Sequence, residues 1–257
     1  MYKNKNIAVV IPAYNEERFI VHTIHSIPSF VDHIYVVDDA STDNTYKKAF
    51  AVSGHNRKLN ILHHEQNGGV GAAIITGHKI AIMNGSDVVA IMAGDGQMDP
   101  SILHKIIDPV VQEKADYAKG NRLTNRQHLK EMPAFRAFGN ILLTYLEKMA
   151  SGYWHISDPQ NGYTAISNKV LRNLNLDELE KGFAFENDIL VKLNIIGAQV
   201  IDIPHPAIYH EQQSKIRYIN FIGRTSWLLL KDFLWRLYTE YLRQRISHKA
   251  TDKVNID

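Results

Sequence analysis

The sequence has no cysteine. That excludes a disulfide framework, a thiolate nucleophile and cysteine-ligated zinc. No apolar run approaches the ~18 residues that a membrane-crossing helix needs. The start, Met1 to Asn6, is polar and leads straight into a short apolar stretch, unlike the apolar region of a signal peptide. A cytoplasmic protein is therefore expected. Charge of one sign is also lacking: 29 Lys and Arg face 27 Asp and Glu, a net charge of +2. That balance gives no footprint for nucleic acid. What remains is an ordinary folded composition, 45% hydrophobic and 22% charged over 257 residues. It suits one large α/β domain, or a domain with an appendage.

What is present is alternation. Ile7–Ile11 is an apolar run ending at Pro12 and reads as a buried parallel strand. Phe19, Ile20, Ile24 and Ile27 then recur at helical spacing, and Pro28 stops that helix. His33–Val37 is a second strand, followed by a helix that ends at Gly54. Leu59–His63 is a third, followed by Asn67-Gly68-Gly69-Val70-Gly71 and a helix ending near Asn84-Gly85. Val88–Met92 is a fourth, with Asp99-Pro100 as a helix start: Asp caps the first N–H groups and Pro is tolerated at the first helical position. Four strand–helix alternations predict a mostly parallel sheet flanked by helices, a Rossmann-like α/β fold.

Each of these strands ends in something polar or rich in glycine. The ends are Tyr14 and Glu16, Asp38 and Asp39, Asn67 to Gly71, and Asp95 and Gln97. Parallel strands bring all four to one edge, where open α/β sheets bind ligands. A nucleotide fits such an edge. Carboxylates accept from ribose hydroxyls and base N–H groups, an aromatic ring stacks on a base, and a hard cation held by Asp95 and Gln97 neutralises a diphosphate. Asp95 is equally a turn former. The glycine segment is neither a dinucleotide fingerprint nor a Walker A loop: the spacing differs, and no Gly-Lys-Ser/Thr follows.

Four segments, Val10-Ile11-Pro12-Ala13-Tyr14-Asn15-Glu16-Glu17, Val37-Asp38-Asp39-Ala40-Ser41-Thr42-Asp43, Asn67-Gly68-Gly69-Val70-Gly71-Ala72-Ala73 and Asp95-Gly96-Gln97-Met98-Asp99-Pro100, resemble glycosyltransferase family 2 in order and spacing. The likeness covers roughly residues 7–215. It is greatest to the branch of dolichyl-phosphate mannose synthase and bacterial polyprenyl-phosphate glycosyltransferases. The resemblance implies a GT-A fold, a nucleotide sugar donor, an inverting transfer, and Mg²⁺ or Mn²⁺. It also implies that Pro12, Ala13, Tyr14 and Glu16 line the nucleotide pocket and that Asp38 and Asp39 meet base or ribose. Ala93, Gly94, Asp95 and Gln97 would border the diphosphate, with Asp95 and Gln97 on the metal. One departure stands out: Ala93 occupies the place of the first Asp in the family's D-x-D.

The second half is less regular. Asp116–Gly120 reads as a fifth strand, and Pro133–Ala150 as a helix with Phe138, Ile141, Leu142, Tyr145 and Leu146 on its apolar face. Arg122 and Arg136 resemble residues that the family directs at donor or acceptor phosphate, a task that suits the guanidinium fork. Asp158, in Asp158-Pro159-Gln160-Asn161-Gly162-Tyr163, resembles the segment placed under the acceptor. Glu186 and Asp188 resemble the acidic segment that supplies a general base, though residues two apart on a helix point to different sides. Both also suit a helix first turn. Ser214 and Lys215 resemble the Ser-Lys element of the polyprenyl-phosphate branch, without the Arg that often precedes it. That favours a polyprenyl phosphate acceptor. The alternatives are a glycan hydroxyl with Asp158, Glu186 or Asp188 as base, and a nucleotide-sugar-binding module without catalysis.

Residues 216–246 form an amphipathic helical extension beyond a catalytic domain of 1–215, and 247–257 a polar tail. On the helix, Ile222, Trp227, Leu230, Phe233, Leu234, Leu237, Tyr238 and Tyr241 share a face. Arg224, Lys231, Asp232, Arg236 and Arg243 lie mostly opposite. That apolar face would pack on the catalytic domain or on a second subunit, or would lie peripherally on a membrane.

Overall fold

The apolar runs become the strands of one sheet. A computed structural model describes residues 1–54, 56–123, 134–206 and 218–254, with only the backbone for 134–141, 218–221 and 243–254. The strands are β1 (Ile7–Ala13), β2 (His33–Asp38), β3 (Leu59–His63), β4 (Val88–Ile91), β5 (Tyr117–Asn121), β6 (Thr164–Ser167) and β7 (Val200–Pro204). The helices are α1 (Ile20–Ser26), α2 (Thr45–Ser53), α3 (Val70–Met83), α4 (Leu103–Val111), α5 (Ala134–Ser151), α6 (Asn168–Asn173), α7 (Phe185–Ile195) and α8 (Tyr218–Val254). Before α4, Asp99 caps a short 3₁₀ turn, accepting from Ser101 N at 2.8 Å.

The sheet order is β3-β2-β1-β4-β6-β5-β7. Only β6 runs against its neighbours, β4 and β5; the other pairings are parallel. β6 and β7 carry no pattern that marked them in advance. They are four and five residues long, and the half-exposed Asp202 interrupts the second. Alternate residues of β1 enter opposite cores. Ala8 and Val10 join the cluster under α3 and α7, and Ile7, Val9 and Ile11 join the one under α1 and α4. Burial on both faces explains the unbroken apolar runs.

A third, smaller cluster sits where α5, α7 and α8 meet, around Ala150, Val191, Ile195 and Leu229. The structure shows which side of each helix docks, a point the sequence left open for α8. The helix α8 docks through buried Thr225, Leu229 and Asp232, together with Arg236, while Trp227, Leu230, Leu234, Leu237 and Tyr238 are exposed. On α5, Leu143, Glu147 and Ala150 are buried, whereas Leu142 and Tyr145 point out. The reason is polar. Arg236 donates from Nε to Ala150 O at 2.8 Å and from Nη2 to Met149 O at 3.0 Å, so its charge caps the C-terminal end of α5. Gly152, at φ 75°, makes room: a Cβ there would lie 2.9 Å from Arg236 Nη1. The helix also continues past Ser247 to Val254, where a polar tail was expected. No glycine or proline follows Gly223 to stop it.

Candidate active site

The C-terminal ends of β1, β2 and β4 form one rim. Gly94 N donates to Pro12 O at 3.1 Å and Asp39 N to Ala13 O at 2.9 Å, so the loops after the strands are tied backbone to backbone. Side chains add to the stitching. Asn15 N donates to Ser41 Oγ at 2.9 Å, Glu16 N to Thr45 Oγ1 at 2.8 Å, and Thr42 N to Asn15 Oδ1 at 2.8 Å. Tyr14 projects from this rim, 39% exposed. Pro12, Ala13, Tyr14, Glu16, Ala93, Gly94, Asp95 and Gln97 are thus gathered on adjacent strand ends.

Asp38 and Asp39 are buried at the same edge. Asp39 is fully engaged: Oδ1 accepts from His64 Nδ1 at 2.7 Å and Gly68 N at 2.9 Å, and Oδ2 from Gly69 N at 2.8 Å. It holds the glycine loop, whose residues pack tightly on the 180–182 backbone. A Cβ on Gly71 would meet Glu180 O at 2.4 Å, and one on Gly69, at φ 94°, Lys181 O at 2.5 Å. Asp38 Oδ2 accepts from His63 Nδ1 at 2.7 Å, and its Oδ1 is buried without a partner among the described residues. The side chains of Asp38 and Asp39 are almost wholly buried, so they shape the rim from behind the strand ends. His63 and His64 went unnoticed in the sequence, although they end β3 as the acids end β2.

Asp95 and Gln97 share a turn. Gln97 N donates to Asp95 Oδ1 at 3.0 Å, and Gly96 takes φ 72° between them. Ala93 N donates to Met98 Sδ at 3.2 Å across the same loop. Among the described residues no group of three or more His, Asp or Glu side chains could hold a metal. One half-buried carboxylate and one amide oxygen fit Mg²⁺ or Mn²⁺ whose remaining positions go to diphosphate and water. They do not fit a cation caged by protein alone.

The second half contributes charge pairs. Arg122, just past β5, grips Asp158: Nε to Oδ2 at 2.8 Å, Nη2 to Oδ1 at 3.0 Å, and its own N–H to Oδ2 at 3.1 Å. Burial pushes the Asp158 carboxyl up, but the hydrogen bonds and charge of Arg122 outweigh it and hold the group below the usual carboxylate range. Glu186 lies under the site. Its Oε2 accepts from Lys119 Nζ at 2.6 Å and Tyr117 OH at 3.2 Å. Its Oε1 is buried without a partner among the described residues and faces Gly162, whose Cβ would stand 3.7 Å from it and 3.5 Å from Met98 Cε. Asp188 points elsewhere: it accepts from Glu180 N at 2.7 Å, pairs with Lys192 and faces Asp232 of α8. So Glu186 and Asp188 part to different sides, as positions two apart must.

Lys119 was overlooked in the sequence. It is fully buried within β5, donating also to Asn161 O at 2.5 Å, and a lysine in the middle of a strand was the available signal. His205 gave none. Asn161 Nδ2 donates to its Nε2 at 2.8 Å, and its Nδ1 bonds Pro206 O at 2.8 Å, which fixes the Nδ1–H tautomer. Burial lowers its pKa. The side chain of Arg136, and all of Ser214 and Lys215, lie outside the described residues.

A mostly parallel sheet with one reversed strand and polar strand ends is a fold of the GT-A type. The family described as Glycosyl transferase family 2 matches residues 8–174, and the chain belongs to it. The UDP-N-acetylglucosamine–dolichyl-phosphate N-acetylglucosaminyltransferase of Methanococcus voltae is 32% identical over 221 residues, 81% of this chain and 88% of that protein. The polyprenol monophosphomannose synthase of Mycolicibacterium smegmatis is 30% identical over 208 residues, 76% of this chain and 75% of that protein. The fold is shared with glucosyl-3-phosphoglycerate synthase from Mycobacterium tuberculosis, solved with Mn²⁺, uridine diphosphate and glucosyl-3-phosphoglycerate. The TM-score is 0.66 at 22% identity, covering 91% of this chain and 80% of that one.

Proposed function

We propose that this glycosyltransferase moves a sugar, with inversion, from a nucleoside diphosphate sugar to a polyprenyl phosphate at the cytoplasmic membrane face. The acceptor oxygen attacks the anomeric carbon opposite the diphosphate. A carbon–oxygen bond forms there as the bond to the diphosphate breaks, and the electron pair leaves on the diphosphate. Bound at Asp95 and Gln97, Mg²⁺ or Mn²⁺ would supply positive charge to that leaving group. Tyr14 would bind the nucleoside beside Asp38 and Asp39, and Arg122, aligned by Asp158, would hold a phosphate.

The observation that carries the acceptor is the state of the acids. Asp158 is clamped by Arg122 and is a weak base. Glu186 is ion-paired with buried Lys119. Asp188 is engaged by Lys192 and Glu180. A phosphate monoester, with a second pKa of about 6, is already ionised and needs no base. A glycan hydroxyl does need one. The names of the two relatives above agree with a lipid phosphate. One observation favours the hydroxyl reading: Glu186 Oε1 has no partner among the described residues and faces Gly162.

The test is product formation from a panel of nucleotide sugars with Mn²⁺ or Mg²⁺, offering a short-chain polyprenyl phosphate or glycan acceptors. Glycosylation of the lipid phosphate supports the proposal. Transfer only to glycans, abolished in Glu186→Gln with donor binding kept, would replace it with the hydroxyl reading. Donor binding without transfer to any acceptor would leave a binding module.

A further inference from the structure

The helix α8 is built the wrong way round for a helix that ends at its own domain. Its docked face holds Thr225, Leu229, Asp232 and Arg236, while Trp227 is 71% exposed, Leu234 57% and Tyr238 61%. Leu230 and Leu237 are exposed beside them. Positions 227, 230, 234, 237 and 238 follow the three-four spacing of one stripe. The helix α5, packed against α8, repeats the pattern. Leu142 and Tyr145 are exposed, and Tyr145 meets the exposed ring of Trp154 edge-on at 6.0 Å. Large apolar side chains exposed together mark an interaction surface.

Charge decides what covers it. Over Tyr218–Val254 there are seven Lys and Arg against three Asp and Glu. The rest of the chain holds 22 Lys and Arg against 24 Asp and Glu, so the basic excess of the protein sits on this helix. Of its three acids, Asp232 is buried and Glu240 is engaged by Arg236 at 2.9 Å. Arg224 and Lys231 are exposed and flank the stripe, whereas Asp232 and Arg236 lie opposite it. A second copy laid stripe to stripe would set like charges together. A neutral apolar partner would leave them unanswered. An anionic lipid surface answers both features: tryptophan and tyrosine suit the headgroup boundary and cations the phosphates.

We infer that the exposed stripe of α8, with the exposed apolar residues of α5, docks the protein peripherally on an anionic bilayer. The reason for docking there rests on the proposed lipid-phosphate acceptor; the contact itself does not. Full-length protein is sedimented with vesicles of phosphatidylglycerol and phosphatidylcholine, or of phosphatidylcholine alone, beside the triple variant Trp227→Glu, Leu234→Glu, Tyr238→Glu. These side chains are exposed, so the fold and transfer to a water-soluble short-chain acceptor should persist. Expected is binding to the anionic vesicles that weakens with salt and drops at least roughly ten-fold in the variant. Three results would overturn the inference: no binding by the wild type, equal binding by the variant, or a dimer in sedimentation velocity that the variant abolishes while vesicles stay unbound. Vesicle binding without any lipid-phosphate product would keep the docking surface and remove the acceptor.

Discussion

The two halves of the site use carboxylates differently. In the loops after β2 and β4, four acids hold backbone amides: Asp39 takes two, Asp43 takes Thr45 N at 2.9 Å, Asp95 takes Gln97 N, and Asp99 takes Ser101 N. Around β5 and α7, three acids meet cations: Asp158 meets Arg122, Glu186 meets Lys119, and Asp188 meets Lys192. The first arrangement shapes loops and leaves a pocket for a nucleotide. The second fixes charges in place before a charged acceptor arrives, which suits a reaction whose transition state redistributes charge. Substitutions should therefore separate the halves: one sign of effect on folding, another on chemistry.

The largest effect is expected in the second half. Lys119→Met leaves the Glu186 carboxylate buried without its cation, and breaking such a pair from one side costs about 3–5 kcal/mol. Urea denaturation should show that loss. The double variant Lys119→Met, Glu186→Gln should recover most of it, because the stranded charge is gone. A single-variant loss below about 1 kcal/mol would mean that the pair is not the anchor of this half.

In the first half the effect should fall on chemistry alone. Asp95→Asn keeps an oxygen to accept from Gln97 N, on a half-exposed turn, so the melting temperature should hold. Catalysis should drop on the order of 100-fold as a charge facing the metal and diphosphate is lost. Equal activity over a titration of Mn²⁺ would show that Asp95 is not a metal ligand and would dissolve the functional contrast between the halves.

The contrast also explains what the sequence disclosed. The strand–helix alternation to residue 100 was legible, because parallel strands buried on both faces must be apolar runs, and their polar ends stand out against them. β6 and β7 were not, being short and lacking such runs. Asp38, Asp39, Asp95 and Gln97 were legible as a rim for the same reason, but not the grip of Asp39 on the glycine loop. That depends on where residues 68 and 69 come to lie. The outward turn of Leu142 and Tyr145 on α5 was not legible, and the docked side of α8 stayed open, because periodicity reports which residues share a face, not which face docks. Arg236 at the end of α5 and the acids around Asp188 decide that, and both are tertiary contacts.

Glu147 sharpens the comparison by pH. It is buried on α5, accepting from Asn187 Nδ2 at 2.7 Å, with its Oε1 unpartnered among the described residues. Burial raises its pKa from 4.5 to about 8; Asn187 and Lys119 pull the other way, and Asp232 and Asp188 add to the rise. A carboxyl raised on folding binds its proton more tightly in the native state. Its stabilising contribution is full below the unfolded pKa and is lost as pH climbs towards about 8. The slope is up to about 1.4 kcal/mol per pH unit. Glu147→Gln mimics the protonated side chain at every pH. The variant should match the wild type near pH 5 and exceed it by ~2 kcal/mol or more near neutrality, read from urea midpoints across that range. His78, which burial lowers to about 3, titrates in both proteins and cancels in the difference, whereas Asp232, raised by burial and Asp188, interacts with Glu147 and is part of that difference. A difference that stays flat with pH would place the proton elsewhere in the cluster of Glu147, Asp188 and Asp232.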